Sequence, residues 1–127
     1  MRRNACITLV AFACSLAVAS NSLSDNYGTT PIVRTRMIRL IHQYFDRTGY
    51  GDTMVRCAAR ESGFNPRAVN WAGPVFGLLQ IRYGVWSHQG ESLMHFTYRM
   101  WRPRENLRLG VQILRRQGIA AWGGSCP

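Results

Sequence analysis

The segment CAARESGFNPRAVN, residues 57–70, sets a glutamate at the end of a helix-like run, directly before two turn signals, Ser-Gly and Asn-Pro. Positions i−3, i−4 and i−7 from Glu61 are Ala58, Cys57 and Met54, so the carboxylate shares a helix face with residues expected to face a core. Desolvation there and the negative end of the helix dipole both raise the expected pKa of Glu61, as a general acid requires. The alternative is a glutamate that reaches solvent or pairs with an arginine.

The sequence before this segment predicts a helical hairpin. Apolar residues recur at helical spacing between Met37 and Phe45, and Thr48-Gly49 ends that run. Asp52 is the expected N-cap of a second helix, TMVRCAARE, which carries Glu61 at its end. The two helices would be joined through Gly-Tyr-Gly.

The sequence after the segment alternates turn signals with further helical patterns. Asn65-Pro66 is expected to be a cap followed by a first-turn proline, and Gly73-Pro74 a turn. Residues 87–101 give no assignable pattern. A last helix is expected to begin at Pro103 and to stop at Gly118, with one buried stripe formed by Leu107, Val111 and Leu114.

The N-terminus has the features of an export signal. Two arginines precede an apolar run that is too short to span a bilayer, and Ala17-Val18-Ala19 forms a small-x-small cleavage site. We expect a signal peptide over residues 1–19, a polar flexible leader over 20–33, and one domain over 34–127, because 127 residues are too few for two independent cores. The alternatives are an uncleaved anchor and a lipidated Cys14.

Removal of the signal peptide leaves two cysteines, Cys57 and Cys126. An even pair in an exported chain suggests one disulfide, which would close a loop of about seventy residues and contribute about 4 kcal/mol. The chain has three histidines, none at recognisable ligand spacing, and no CxxC pair. We therefore expect neither a metal site nor a cofactor.

All sixteen basic residues are arginines, against six acidic ones. Loss of Arg2 and Arg3 with the signal peptide would lower the formal net charge from +10 to +8. A field of this sign favours polyanionic partners such as nucleic acid, anionic lipid or an anionic cell wall. Export and the even spread of the arginines argue against nucleic acid, and a solvated surface accounts for many of them. We expect a monomer that is not stably inserted in a membrane.

Two motifs of the sequence, ESGFNPRAVN and the following GPVFGLLQI, resemble those of a known family. They are similar to the soluble lytic transglycosylase domain, which shares a lysozyme-like fold with goose-type lysozyme. The later ENLRLGVQIL, residues 105–114, is similar to a helix of the same family. The resemblance implies a mainly α-helical, lysozyme-like single domain with a substrate cleft. The matching residues of the first two motifs are Glu61, Ser62, Asn65, Pro66, Ala68, Asn70, Gly77, Leu78, Leu79 and Gln80.

The resemblance also implies roles for individual residues. Glu61 would be the catalytic acid and base. Ser62 and Gln80 match positions that line the cleft, Leu79 stands where the family often has a methionine wall residue, and Tyr83 and Trp86 could stack on sugars. Trp122 replaces a tyrosine that reaches toward the catalytic glutamate, and its indole can only donate. Trp122 is also expected to contact the substrate.

The function implied is a secreted, periplasmic or wall-associated peptidoglycan lytic transglycosylase. It would cleave the β-1,4 bond between N-acetylmuramic acid and N-acetylglucosamine of glycan strands with one carboxylate and give a 1,6-anhydro product. A retaining or inverting glycosidase would need a second acid at a fixed separation. The alternatives are a hydrolytic lysozyme on the same fold and a non-enzymatic, cationic wall-binding or membrane-active protein.

Overall fold

The computed structural model describes residues 30–126. The expected signal peptide and residues 20–29 of the expected leader lie outside the described residues. Five α-helices form most of the domain, which confirms a mainly helical fold. They are α1 Pro31–Phe45, α2 Gly51–Ser62, α3 Tyr83–Trp86, α4 Leu93–Met100 and α5 Pro103–Gln117, with two 3-10 segments at Asp46–Thr48 and Ile119–Ser125.

Helix α1 begins earlier than the sequence predicts. The Thr30 hydroxyl accepts a hydrogen bond from the Val33 amide at 3.3 Å, and Pro31 occupies the first turn, where its missing N–H costs nothing. Residues 31–33 are therefore helical, and the boundary of the expected leader was wrong by three residues. The helix buries one face, formed by Met37, Leu40, Ile41 and Phe45.

Helix α2 packs against α1 as the expected hairpin. Its N-cap is Tyr50 rather than Asp52, because the left-handed Gly49 (φ 79°) turns the chain early enough for the helix to begin at Gly51. Asp52 lies in the first turn instead, where its negative charge still complements the helix dipole. Gly63 ends the helix in the left-handed conformation.

A small antiparallel sheet follows α2. Its strands are β1 Val69–Asn70, β2 Val75–Phe76 and β3 Ile81–Arg82, in the order β1-β2-β3. The predicted turn at Gly73-Pro74 joins β1 to β2. The helix expected after Asn65-Pro66 was wrong, since the Asn65 Oδ1 accepts from the Arg67 amide at 2.9 Å and closes an isolated turn.

The C-terminal third consists of α4 and α5. The unassigned stretch contains α4, whose N-cap Ser92 accepts from the His95 amide at 3.2 Å. Helix α5 begins at Pro103 and is capped by Gly118, as predicted. Its buried stripe is wider than predicted, because Val111 is only half-buried and other positions face the core, namely Asn106, Leu107, Gly110, Ile113 and Leu114.

The predicted disulfide joins Cys57 of α2 to Cys126, whose Cα atoms lie 4.8 Å apart. Both cysteines are buried in the core, so the bridge fixes the last 3-10 segment against the helix that carries Glu61. None of the helices within residues 30–126 has the length and apolar character needed to cross a bilayer. Over the same residues, no three His, Cys, Asp or Glu side chains cluster as a possible metal site.

Candidate active site

A cleft of about 310 Å³ opens where the end of α2, the sheet, α3 and the C-terminal end of α5 meet. The last 3-10 segment closes one side of it. Its lining combines seven apolar or aromatic residues with four polar ones. The apolar lining residues are Val75, Ile81, Val85, Trp86, Ile113, Ala121 and Trp122, and the polar ones are Glu61, Gln80, Arg82 and Gln117.

Glu61 lines this cleft from the last turn of α2. Met54, Cys57 and Ala58, on the same face of the helix, are completely buried, which confirms the shared apolar stripe. Glu61 itself is half-buried. The helix therefore anchors its apolar stripe in the core and brings a carboxyl group to the cleft, where it can exchange a proton with a bound molecule.

Gln80 is brought into the same cleft by a tight loop between β2 and β3. Its backbone is left-handed (φ 50°), a conformation uncommon outside glycine. The side-chain Nε2 donates to the carbonyl oxygens of Gly77 at 3.0 Å and Ala68 at 3.3 Å. These two acceptors fix the orientation of the amide, so its oxygen is the group that Gln80 can offer to a ligand.

Asn106 holds the Gln80 loop in place, a role that the sequence did not reveal. Its side chain is completely buried on α5. Its Oδ1 accepts from the Leu79 amide at 3.0 Å, and its Nδ2 lies 3.2 Å from the carbonyl oxygens of both Phe76 and Met100. An asparagine within the apolar stripe of a helix is the signal that could have identified it, because a buried amide needs dedicated partners.

Gly110 brings the same helix close to the loop. A Cβ at this position would overlap the Leu79 Cδ1 and lie 3.2 Å from the Phe45 Cζ. Glycine is therefore required here for close approach rather than for an unusual backbone angle. Residues 105–114 of α5, which resemble the family's helix, thus pack against the Leu79 side of the β2–β3 loop and support the cleft.

Trp122 lines the cleft from the last 3-10 segment and is 9% exposed. Its indole Nε1 donates to the Leu79 carbonyl at 3.1 Å. The Arg60 guanidinium lies 3.5 Å from the Gly124 carbonyl, and together with the disulfide this contact ties the segment to α2. The polar atom of Trp122 is thus used inside the protein, and its ring is what remains for the cleft.

Three of the predicted substrate-binding residues do not line the cleft. Leu79 is completely buried in the core, so its predicted wall contact was wrong. The Ser62 hydroxyl donates to the Leu78 carbonyl at 2.8 Å and so attaches the end of α2 to the Gln80 loop. The Tyr83 hydroxyl donates to the Glu91 carbonyl at 2.6 Å, and its ring packs edge-on against Phe96. Ser62 and Tyr83 therefore support the cleft walls from outside.

Glu91 stabilises the connection between α3 and α4, next to the cleft wall. Its side chain is 2% exposed and accepts two hydrogen bonds from Arg99, each at 2.8 Å, and one from the His88 amide at 2.9 Å. The bonds from Arg99 lower its pKa from 4.5 to about 2, although burial acts in the opposite direction. This clamp holds α3, and with it Trp86, against α4.

Only one carboxyl group lines the cleft within the described part of the chain. Asp46 contacts His42 at 2.8 Å, Glu105 contacts Arg108 at 2.7 Å, and Glu91 is paired with Arg99. The Asp52 side chain is 87% exposed at the start of α2. Any proton transfer to a molecule in this cleft would therefore depend on Glu61.

Comparison with known families connects this geometry to a named group of proteins. The family model described as Transglycosylase SLT domain matches residues 49–120, more than half of the chain. The matched range contains Glu61, Gln80, Asn106 and Gly110, while Trp122 and Cys126 lie beyond it. Searches of curated proteins and of solved structures found no match.

Proposed function

The chain belongs to the transglycosylase SLT domain family, whose members cleave glycosidic bonds of peptidoglycan, and on this premise we propose that Glu61 is its single catalytic acid and base. The observation that carries the proposal is the position of Glu61. It is the one carboxyl group among the described residues that lines the cleft. The bond cleaved would be the β-1,4 linkage from N-acetylmuramic acid to N-acetylglucosamine.

In the first step Glu61 donates its proton to the glycosidic oxygen. The bond between that oxygen and C1 of the muramoyl residue breaks, and positive charge develops at C1. The apolar residues that line the cleft limit the access of water to the reacting group. The oxygen of the Gln80 amide is available to orient the N-acetyl group of the sugar.

In the second step the carboxylate of Glu61 takes the proton of the muramoyl C6 hydroxyl. The C6 oxygen forms a bond to C1 and closes a 1,6-anhydro ring. Glu61 ends the cycle protonated, and no water is consumed. The distribution of acids in the structure supports this one-carboxylate route, because an inverting or classical retaining hydrolase requires a second carboxyl group about 5–10 Å away.

A hydrolytic lysozyme on the same scaffold is the second candidate, and Trp122 is the observation that favours it. Its indole has no oxygen and its N–H donates to the Leu79 carbonyl, so it cannot perform the role of the family's tyrosine hydroxyl. Water could then attack C1 in place of the C6 hydroxyl. The product would carry an ordinary reducing end.

We further propose that the protein acts outside the cytoplasm, in the periplasm or cell wall or after secretion. The expected signal peptide at residues 1–19 supports this location, as does a substrate that lies outside the membrane. The positive charge, which falls from +10 to +8 when Arg2 and Arg3 leave with the signal peptide, would favour association with an anionic wall.

The decisive experiment is digestion of purified sacculi by wild type and by Glu61→Gln, with mass analysis of the released muropeptides. We expect Glu61→Gln to lose activity by at least about a thousandfold, because general acid and base catalysis contributes factors of this size. Glu105→Gln is the matched control, since its carboxylate forms only a surface pair with Arg108. It should behave as wild type.

The products distinguish the candidates. An anhydro product is lighter than the hydrolytic product by one water and identifies a transglycosylase, whereas a reducing end identifies a lysozyme. Solubilisation of sacculi by Glu61→Gln at the wild-type rate would refute both enzyme functions. Binding of sacculi without any cleavage by the wild type would point to the wall-binding alternative.

A further inference from the structure

Arg82 places a positive charge in the cleft that the reaction at Glu61 does not use. It is the second residue of β3 and pairs with Val75 of β2, which also lines the cleft. Ile81, its neighbour on the strand, is 3% exposed, whereas Arg82 is exposed, and both line the cleft. Arg82 is thus the charged residue that the short strand β3 brings to the cleft.

Among residues 30–126, none of the ion pairs of the structure involves Arg82. The residue is also exposed. Its charge is therefore available to a ligand.

Arg82 both lines the cleft and is exposed, so it lies at the rim. Its Nη2 would lie 3.7 Å from a Cβ placed on Gly73, in the turn between β1 and β2. A substituent that extends from a bound sugar toward this turn would meet the guanidinium.

We propose that Arg82 forms a carboxylate-binding subsite for the acidic substituent of the muramoyl residue. This proposal rests on the proposed function. The N-acetylated sugar rings are uncharged, so an arginine in the cleft gains nothing from them electrostatically. The substituent on the muramoyl C3 oxygen ends in a carboxyl group or continues as a peptide with free carboxyl groups. A guanidinium binds such a group through two parallel N–H···O bonds.

The subsite would act on binding rather than on the chemical step. A charge-assisted hydrogen bond at an exposed rim is worth a factor of about ten in affinity, at the lower end of the range for such bonds. The substrate selected is thus a glycan strand that retains free carboxyl groups, and strands whose carboxyl groups are amidated should be bound less well.

The test compares one glycan preparation in three forms. The first has intact peptide stems, the second has its stems removed by an amidase so that the lactyl carboxylate is free, and the third has its carboxyl groups converted to methylamides. For wild type we expect kcat/KM to fall about tenfold from the first form to the third. Arg82→Gln should lose about tenfold on the first form, chiefly through KM, and be indifferent to methylamidation.

The control is Arg39→Gln, which makes the same change of charge on the exposed side of α1, away from the cleft. Arg39→Gln should keep the wild-type preference for the first form over the methylamidated third form. An Arg82 effect on the first form belongs to a peptide carboxylate, because the lactyl carboxyl group is held there in an amide bond. An effect that persists on the second form shows that the freed lactyl carboxylate is bound as well, and one that disappears restricts the subsite to the peptide. Equal losses for Arg82→Gln on the first and third forms, or an unchanged KM on the first, would overturn the subsite.

Failure of the proposed function is recognised separately. Co-sedimentation of the Glu61→Gln variant with intact and methylamidated sacculi measures binding without cleavage. If the wild type cleaved nothing while the binding of Glu61→Gln still depended on both the carboxyl groups and Arg82, the catalytic proposal would fail and the subsite would stand. If binding depended on neither, the subsite would fail whatever the catalytic result.

Discussion

Replacement of Asn106 by alanine should weaken both the fold and the cleft, although this residue touches no substrate. Its buried amide connects the β2–β3 loop to α5 through the Leu79 amide and the carbonyl oxygens of Phe76 and Met100. Alanine removes all three bonds. Three backbone groups in the interior then lose the partner that the amide provided.

The expected loss of stability follows from the number of bonds. A buried hydrogen bond contributes about 1 kcal/mol net, and an orphaned backbone group costs somewhat more. Three bonds therefore give about 3 kcal/mol. That is a large fraction of the roughly 5–15 kcal/mol by which a domain of this size is stable. Gln80 lies on the released loop, so we also expect kcat/KM on sacculi to fall by about a hundredfold at temperatures where the variant remains folded.

Urea denaturation followed by circular dichroism measures the first effect, and digestion of sacculi measures the second. Asn70→Ala is the matched control, because Asn70 is exposed and its Oδ1 accepts a single bond, from the Ala72 amide at 3.1 Å. It should change the free energy of unfolding by less than about 1 kcal/mol. Asn106→Asp separates the two halves of the amide, since it can still accept from the Leu79 amide but, when ionised, repels the two carbonyl oxygens.

The reasoning is refuted if Asn106→Ala unfolds within about 1 kcal/mol of wild type. It is also refuted if Asn106→Asp is as stable as wild type at neutral pH, because the two donated bonds would then contribute nothing. Loss of stability with unchanged activity would separate the loop from the cleft and contradict the positioning role.

Two further predictions concern Glu91 and Gly110. The pKa of Glu91 is lowered from 4.5 to about 2, so its pair with Arg99 should contribute up to about 3 kcal/mol to the free energy of unfolding above pH 4.5 and lose that contribution as the pH falls toward 2. Glu91→Gln should therefore reduce the loss of unfolding free energy between pH 4.5 and 2. An unchanged loss over that range would contradict the clamp. Gly110→Ala should lower the free energy of unfolding by about 1–2 kcal/mol, because the added Cβ would clash with Leu79 and Phe45. This loss should outweigh the better helix propensity of alanine. A higher denaturation midpoint would show that the neighbouring side chains move aside without cost.

Much of this protein could be predicted from local sequence. The period of apolar residues and the turn signals located the first hairpin, the Gly73-Pro74 turn and α5, because helix geometry and capping depend on neighbours a few positions away. The spacing of Met54, Cys57 and Ala58 predicted that Glu61 ends a buried stripe. The disulfide was predictable for a different reason, since removal of the expected signal peptide leaves only one possible pair.

The errors arose where contacts between distant parts of the chain override local pattern. Asp52 has the chemistry of an N-cap, but the turn at Gly49 starts α2 before it. Leu79 and Tyr83 match or adjoin a cleft motif, yet packing against α5 and α4 turns their side chains away from the cleft. The direction of these side chains depends on which helices and strands pack together, and the local secondary-structure propensity of a residue does not contain that information.

The sequence by itself determined which residue could supply the proton, because a lone glutamate ends an apolar helical stripe beside a recognisable motif. The family resemblance already predicted Gln80 and Trp122 in the cleft. Only the tertiary structure added Arg82 to that cleft and showed that Asn106 supports the loop that carries Gln80. The physical reason is that a helix face is fixed by 3.6-residue periodicity along the chain. A cleft is instead formed by residues as far apart in sequence as Glu61 and Trp122, and their meeting depends on the packing of the whole core.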